Sequence, residues 1–359
     1  MRRALGFAIL LPLTGLLLFG IVWMVGFRET LVQVRRAGVY PFALVGILTL
    51  AFLAAQSVAW AFLSRPVGHR VPFLTLFGGI TVGQAGNMIT PSTYLGGEPL
   101  RIAYVGTMAS LPYHQVAGTV LLSKYLEFLS FMLVFGVSAA VAAVEYKSVL
   151  FGPAHLWGGV AIVVVALLML GFSGVLWVSL VKRWRPLTRV VRGLAWFRPL
   201  RRRMARLRHR ARAMEDQVSR TFCEERGASL AAFGAMLVSH AAVFAKPLVF
   251  FLVGDHLLLM PRELCLLFVA GQLILAVQLT PSGVGMLDGG LIGTFAILGY
   301  NSASHAGMCM AYLLCLRLWD AVVIGAGAFL AAHVGARLFG SKPPPPIAPS
   351  PDNRGEPAK

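Results

Sequence analysis

The sequence predicts an all-α polytopic membrane protein with six full transmembrane helices and two re-entrant helical hairpins in an inverted-topology repeat. Three observations support this prediction: the composition, a series of long apolar runs, and an internal repeat. Of the 359 residues, 57% are hydrophobic and 13% are charged, and the mean hydropathy is +0.75. This composition is too apolar for a soluble core with its polar surface.

Six apolar runs are long enough to cross a membrane as helices, since about 20 residues span about 30 Å of hydrocarbon. They lie at about 7–26, 40–63, 115–145, 156–181, 228–253 and 304–334. They lack the alternation of polar and apolar residues that a transmembrane β-barrel requires. The runs therefore predict helices.

The internal repeat becomes visible when the chain is shifted by 190 positions, which places 90–92 on 280–282 and Glu98 on Asp288. Both stretches, 87–106 and 277–300, put glycines, a proline and a carboxylate where hydrocarbon is expected. A bilayer tolerates this only where protein or a water-filled cavity covers the exposed backbone. We therefore expect two broken, re-entrant hairpins, although simple kinking of packed helices is the alternative. The predicted helix-breaking residues are Thr90, Pro91, Ser92, Gly96, Gly97, Thr280, Pro281, Ser282, Gly283 and Gly285.

The positive charge predicts the topology. The formal net charge is +18, and residues 182–226 contain 15 Lys or Arg against four acids. Basic loops stay on the cytoplasmic side, which places this segment and both termini in the cytoplasm of a multi-pass inner-membrane protein. That placement requires 73–109 to enter the membrane and return. Interleaved aromatics and zinc-ligand spacings are missing from the basic segment, so we expect no nucleic-acid partner.

The chain is predicted to contain one membrane domain, 1–340, with repeat 1 at about 40–145 and repeat 2 at about 228–335. The basic cytoplasmic segment, 182–226, includes an amphipathic stretch at 200–218 that would attract anionic lipid. A solvated helix that only enforces orientation is an equal alternative. The Pro-rich tail, 341–359, is predicted to be disordered.

Ionisable residues inside the apolar regions are candidates for a substrate path. Each costs about 3 kcal/mol or more in lipid, so it usually faces a partner or a cavity. Several are spaced i,i+3, and local salt bridges that only stabilise packing are the alternative. Because the repeat places Glu127 on Arg317, we hypothesise that these two residues pair across a pseudo-two-fold axis. The predicted path comprises Asn87, Glu98, Arg101, Lys124, Glu127, Asp288, Arg317 and Asp320, with Lys246 as a further buried charge.

The sequence predicts no catalytic residue, cofactor or metal site. The four cysteines lack ligand spacing, and none of the eight histidines lies beside either hairpin along the chain. A phosphate-binding GxxxxGK[ST] motif is also missing, so transport would be passive, ion-coupled or driven by a partner.

The hairpin residues also carry a family resemblance. Ten residues carry it: Asn87, Pro91, Gly97, Glu98 and Arg101 in the first half, and Pro281, Ser282, Gly283, Gly285 and Arg317 in the second. At these positions the chain resembles the transmembrane flippase-like domain of the lysylphosphatidylglycerol synthase family and its stand-alone relatives. The resemblance extends over about residues 5–340. Asp288 replaces the glutamate that the family pattern implies, and Phe128 stands where an arginine often follows Glu127. The soluble aminoacyl-transferase domain is not found, so we do not expect lipid synthesis.

The resemblance implies movement of a lipid between leaflets, through a central polar cavity that binds a phosphate-bearing or otherwise polar headgroup. Three alternatives stay open: a membrane enzyme acting on lipid phosphates with Glu98 or Asp288 as general base, a non-catalytic scaffold for glycolipid or hopanoid synthesis, and a DedA-like ion-coupled carrier. Membrane lipids are the expected partners. Self-association and binding of lipid-synthesis enzymes also stay open.

Overall fold

The computed structural model describes residues 34–65, 71–90, 96–147, 156–181, 224–276, 285–300 and 303–340, together with a few isolated positions. The secondary structure in this part of the chain is helical. Its helices are α1 (Val39–Ser64), α2 (Phe73–Ile89), α3 (Glu98–Met108), α4 (Tyr113–Glu145), α5 (Leu156–Val181), α6 (Arg226–Asp255), α7 (Pro261–Ala276), α8 (Met286–Ile297) and α9 (Ala303–Gly340).

The predicted all-α polytopic membrane fold is confirmed. Among the described residues, α1, α4, α6 and the Gly307–Gly335 part of α9 are long and apolar enough to cross a membrane. Helix α5 has 26 residues, which corresponds to about 39 Å of helix. The predicted span at 7–26 and the tail at 341–359 lie outside the described residues, as does nearly all of the basic segment.

The helix boundaries reproduce the 190-residue repeat. Helices α6, α7, α8 and α9 match α1, α2, α3 and α4, shifted by 190 positions, to within about five residues at every boundary. The described residues at both predicted breaks depart from α-helix. Thr90, Gly96 and Gly97 lie in bends between α2 and α3, and Gly283 and Gly285, between α7 and α8, have φ angles of +64° and +83°. Five of the predicted corner residues, Pro91, Ser92, Thr280, Pro281 and Ser282, lie outside the described residues.

Hairpin 1, formed by α2 and α3, begins and ends on one side of the bundle. Val71 precedes the hairpin and Leu111 follows it, and both line one small cavity with Ser64 at the end of α1 and Gln115 at the start of α4. We call this side the Ser64 end. The 33 residues of α4 then extend about 50 Å to the other side.

Hairpin 2, formed by α7 and α8, opens at that other side, which we call the Glu145 end. Arg262 Nη1 lies 3.4 Å from Glu145 Oε2, and the hydroxyl of Tyr300, after α8, donates to Glu263 Oε1 at 3.1 Å. The two hairpins therefore enter the bundle from opposite ends, as an inverted repeat requires.

Glycines allow the two helices of hairpin 1 to approach closely. A Cβ added to Gly97 would overlap the carbonyl oxygen of Gly83, and one added to Gly86 would lie 2.7 Å from Gly97 Cα. The amide of Gly97 donates to Asn87 Oδ1 at 2.7 Å. Small residues at such crossings are typical of membrane helices, where van der Waals packing replaces the hydrophobic effect.

Helices α1 and α6 form an antiparallel pair at the centre of the bundle. Ala59 and Leu63 near the end of α1 pack with Ala232 and Met236 near the start of α6. Equivalent helices of the two halves therefore meet at the pseudo-two-fold axis. The halves meet again where α9 crosses α2, since a Cβ at Gly327 would lie 2.9 Å from the carbonyl oxygen of Thr81.

Candidate functional site

The first charged group, which we call the hairpin-1 cluster, comprises Glu98, Arg101, Lys124 and Glu127. Lys124 Nζ lies 3.0 Å from Glu98 Oε1 and 2.9 Å from Glu127 Oε2. These contacts join the first residue of α3 to the middle of α4. The three side chains are between 13% and 18% exposed, so the ion pairs are largely removed from solvent.

Arg101 is the most buried member of this cluster, with its side chain 3% exposed. Its guanidinium carbon lies 3.9 Å from the centroid of the Trp60 ring, its Nη2 donates to Ser123 Oγ at 3.2 Å, and its Nη1 lies 3.7 Å from Glu98 Oε2. A Cβ at Gly83 would lie 3.2 Å from Arg101 Cβ. The small residue on α2 thus leaves space for the arginine.

Helices α1 and α6 supply polar partners that the sequence analysis missed. Gln56 Nε2 donates to Glu127 Oε1 at 3.2 Å. His240 Nε2 lies 3.0 Å from Ser130 Oγ, which donates to the Glu127 carbonyl oxygen at 2.9 Å. The repeat contained a signal for Gln56, because a shift of 190 positions places it on Lys246.

The second charged group, the hairpin-2 cluster, comprises Asp288, Arg317 and Asp320. Arg317 Nε and Nη2 both donate to Asp288 Oδ1, at 3.0 and 2.8 Å, and Nη1 donates to Asp320 Oδ2 at 3.3 Å. The arginine side chain is 4% exposed. One arginine therefore joins the start of α8 to the middle of α9.

Asp288 also caps its own helix. Its Oδ2 accepts the amide of Gly285 at 2.9 Å, and Gly285 has a φ of +83°, a conformation that glycine adopts without a steric penalty. The carboxylate is thereby held between the helix start and Arg317. Lys246 on α6 adds a fourth charge nearby, since it interacts electrostatically with Asp320, and its Nζ lies 6.0 Å from the Phe52 ring.

The structure contradicts the hypothesis that Glu127 and Arg317 pair across the pseudo-two-fold axis. Glu127 instead contacts Lys124 and Gln56, while Arg317 contacts Asp288 and Asp320. Asn87, predicted to lie on the substrate path, uses its side-chain oxygen to join the two helices of hairpin 1. The hydroxyl of Thr90 donates to the Gly86 carbonyl at 2.9 Å, which ends α2.

The formal charges within each cluster cancel. Each contains two carboxylates and two cations when Lys246 is included, so each is formally neutral. The charges balance, but not every polar atom is hydrogen-bonded. Within the described residues, the buried atoms Glu98 Oε2 and Arg101 Nε have no hydrogen-bond partner. Buried polar atoms in folded proteins are nearly always paired, so these two atoms are suited to accept and donate bonds to a polar group.

The Ser130–His240 contact has the spacing of a nucleophile and its base. Ser130 is fully buried, however, and its hydroxyl proton is directed to the backbone carbonyl of Glu127. Within the described residues, no three His, Cys, Asp or Glu side chains are grouped so as to hold a metal ion. This geometry gives the contact a packing role.

Comparison with known proteins identifies the family. A profile described as the lysylphosphatidylglycerol synthase TM region matches residues 3–334. The chain belongs to this family. A UPF0104 membrane protein from Methanothermobacter thermautotrophicus (strain Delta H) is 24% identical over 339 residues, which cover 92% of this chain and 98% of that protein. No solved structure matches the chain. Every member of both charged clusters lies within the range matched by the family profile.

Proposed function

We propose that this protein moves lipids across the plasma membrane, as a flippase or scramblase, by passing a phosphate-bearing or otherwise polar headgroup along the two charged clusters. The observation that carries the proposal is the ionic bridge from the re-entrant helix α3 to α4, in which Lys124 lies between Glu98 and Glu127. An isolated charge in lipid costs about 3 kcal/mol or more. The neutral clusters lower that cost for a passing headgroup by offering both signs of charge.

Two features support a headgroup as the cargo. In the part of the chain that the structure describes, the buried atoms Glu98 Oε2 and Arg101 Nε are without hydrogen-bond partners, so a headgroup can add bonds there before it breaks the existing ion pairs. The hairpins open at opposite ends of the bundle, and transporters built from inverted repeats use broken helices to bind substrate between their halves. A central polar cavity between the clusters is part of the proposal.

The proposed orientation follows the charge distribution. We place the Ser64 end of the bundle, where the basic segment returns to α6, on the cytoplasmic side of the inner membrane, together with both chain termini. The stretch 200–218 would then lie against anionic lipid headgroups. Its residues lie almost entirely outside the described part of the chain, so this part of the proposal depends on the sequence.

Reconstitution tests the function directly. The full-length protein is inserted into liposomes that contain phospholipids with a fluorescent group on an acyl chain, and dithionite then quenches the outer leaflet. Wild type should expose the inner-leaflet label for at least one headgroup in a broad panel. Glu98→Gln removes one of the two carboxylate charges that hold Lys124. It should slow exposure at least tenfold, which corresponds to about 1.4 kcal/mol in the barrier.

The matched control is Glu145→Gln. Glu145 is also an acid paired with a cation, but it is the last residue of α4 and belongs to neither cluster. This variant should transport lipid at the wild-type rate. If Glu98→Gln folds normally and keeps the wild-type rate for every lipid in the panel, the headgroup path is wrong.

A further inference from the structure

Two adjoining cavities lie at the Ser64 end of the bundle, away from the charged clusters. Their volumes are about 410 Å³ and 770 Å³, and both are lined by Phe62 and Arg65. Two charged residues, Arg65 and Glu225, line the smaller cavity, whereas most residues that line the larger one are apolar. Among the described residues, the others that line the cavities are Glu225, Gly227, Ala228 and Ala231 in the smaller one, and Val58, Ala61, Ser64, Val71 and Phe73 in the larger one.

The smaller cavity is lined by two residues of opposite charge, Arg65 and Glu225, that do not form an ion pair with each other. Arg65 follows the last residue of α1 and holds its guanidinium carbon 5.0 Å from the centroid of the Phe62 ring. Glu225 is the residue before α6, and its side chain makes no hydrogen bond to the helix. In the part of the chain that the structure describes, the ion pairs do not include one between Arg65 and Glu225.

The position of the cavities matches the depth profile of a bilayer leaflet. Arg65 lies just beyond the end of a helix that can span the membrane, which is the level at which arginine side chains meet lipid phosphates. Val58 lies seven residues earlier on α1, about 10 Å deeper along the helix. The larger cavity therefore extends from the headgroup level to the level of acyl chains.

We propose that the two cavities together bind one phospholipid whose headgroup carries both a phosphate and an ammonium group. The phosphate contacts Arg65, because a guanidinium forms strong charge-assisted hydrogen bonds with phosphate oxygens. The ammonium contacts Glu225 in the smaller cavity, and an acyl chain lies in the larger cavity along Val58, Phe62 and Phe73. An anionic headgroup without an amine would satisfy Arg65 but place its charge beside the carboxylate of Glu225.

This site does not depend on the proposed transport function. The residues that line it belong to neither charged cluster, and binding is measured without any movement of lipid between leaflets. A failure of this binding test would leave the transport assay unaffected, and the converse also holds.

Native mass spectrometry of the full-length protein in detergent tests the site. The protein is titrated with phosphatidylethanolamine and with phosphatidylglycerol of the same acyl chains, and the fraction with one bound lipid is measured. Wild type should bind phosphatidylethanolamine more tightly. Arg65→Gln should weaken that binding about tenfold, as expected for loss of a charged hydrogen bond, whereas Arg65→Lys should keep most of it. Glu225→Gln should reduce the preference between the two lipids.

Arg262→Gln is the matched control, because Arg262 is a half-exposed arginine at the Glu145 end. It should bind phosphatidylethanolamine like wild type. Equal binding of the two lipids by wild type would overturn the assignment of the headgroup. Unchanged binding by Arg65→Gln, or an equal loss in Arg262→Gln, would overturn the site. Thermal unfolding of each variant confirms that any loss comes from folded protein.

Discussion

The two charged clusters have the same arrangement but build it from different positions in the repeat. In the hairpin-1 cluster, Lys124 lies between the carboxylates of Glu98 and Glu127. In the hairpin-2 cluster, Arg317 lies between those of Asp288 and Asp320. The two first acids are equivalent under the 190-residue shift, but Lys124 falls on Leu314 and Arg317 falls on Glu127. The common feature is an acid–cation–acid bridge from the re-entrant helix to the next span.

The fourth member of each cluster is a cation that lies near an aromatic ring. Arg101 lies against the Trp60 ring and Lys246 lies near the Phe52 ring, and both aromatic residues belong to α1. The cations themselves are not equivalent in the repeat, since Arg101 falls on Leu291. An aromatic face stabilises a cation that has left water, and α1 supplies that face to both halves. The comparison shows that neutrality and aromatic contact recur in both halves, while the residue positions do not.

The largest effect is expected from Arg317→Met, which removes the single cation that joins the hairpin-2 cluster. The arginine makes three hydrogen bonds to two carboxylates, so its loss leaves both partly buried acids without this partner. Breaking a buried ion pair from one side costs about 3–5 kcal/mol. Thermal or denaturant unfolding in detergent measures the loss. Arg262→Met at the exposed Glu145–Arg262 pair is the control, with an expected cost of about 1 kcal/mol or less.

A smaller effect is expected from Lys124→Met in the hairpin-1 cluster. Its two carboxylates keep other partners, because Arg101 remains near Glu98 and Gln56 still donates to Glu127. We expect a loss of about 2 kcal/mol, in the range for a buried polar group that loses one partner. The same unfolding measurement compares the two variants. If Lys124→Met lowers the free energy of unfolding more than Arg317→Met does, the carboxylates of the hairpin-1 cluster do not have the additional partners that we describe.

The sequence predicted the elements and the local pairs well, for physical reasons that particular residues illustrate. Residues three apart on a helix share a face, and the local i,i+3 salt bridges that the sequence left open as the alternative are present at Glu98–Arg101, Lys124–Glu127 and Arg317–Asp320. The repeat also placed Asp288 at the start of α8, as Glu98 starts α3. The i,i+3 spacing and the 190-residue repeat can both be read directly from the order of residues in the sequence.

The contacts between helices could not be predicted in the same way. Equivalence in a repeat gives two residues similar surroundings but does not place them side by side, which is why the Glu127–Arg317 pair was wrong. Gln56 and Glu127 are 71 positions apart, and their contact depends on how α1 packs against α4. His240 was missed for the same reason, because it reaches Ser130 from a helix 110 positions away.

The next prediction concerns the packing that supports each cluster. Gly97→Ala places a methyl group against the Gly83 carbonyl and should destabilise hairpin 1 by about 3 kcal/mol, the upper part of the usual range for overpacking. The control in hairpin 2 is Gly289→Ala, where an added Cβ meets nothing within 4 Å. We expect the control to unfold at or above the wild-type temperature, since alanine favours a helix over glycine. Equal unfolding temperatures for the two variants would contradict the close approach of α2 and α3.

The smallest effect is expected from Lys246→Gln. This change puts a glutamine on α6 at the position that is equivalent to Gln56 on α1. The change removes a cation whose Nζ lies 6.0 Å from the centroid of the Phe52 ring. Because this distance is at the outer limit of a cation–π contact, we expect the contact to contribute only about 0.5–1 kcal/mol. Arg317 still holds Asp320, so unfolding should shift by about 1 kcal/mol or less. A loss comparable to that of Arg317→Met would mean that Lys246 is an essential member of the bridge. The reciprocal variant, Gln56→Lys, sharpens the comparison, because it adds a cation beside Glu127 and should weaken the hold of that carboxylate on Lys124.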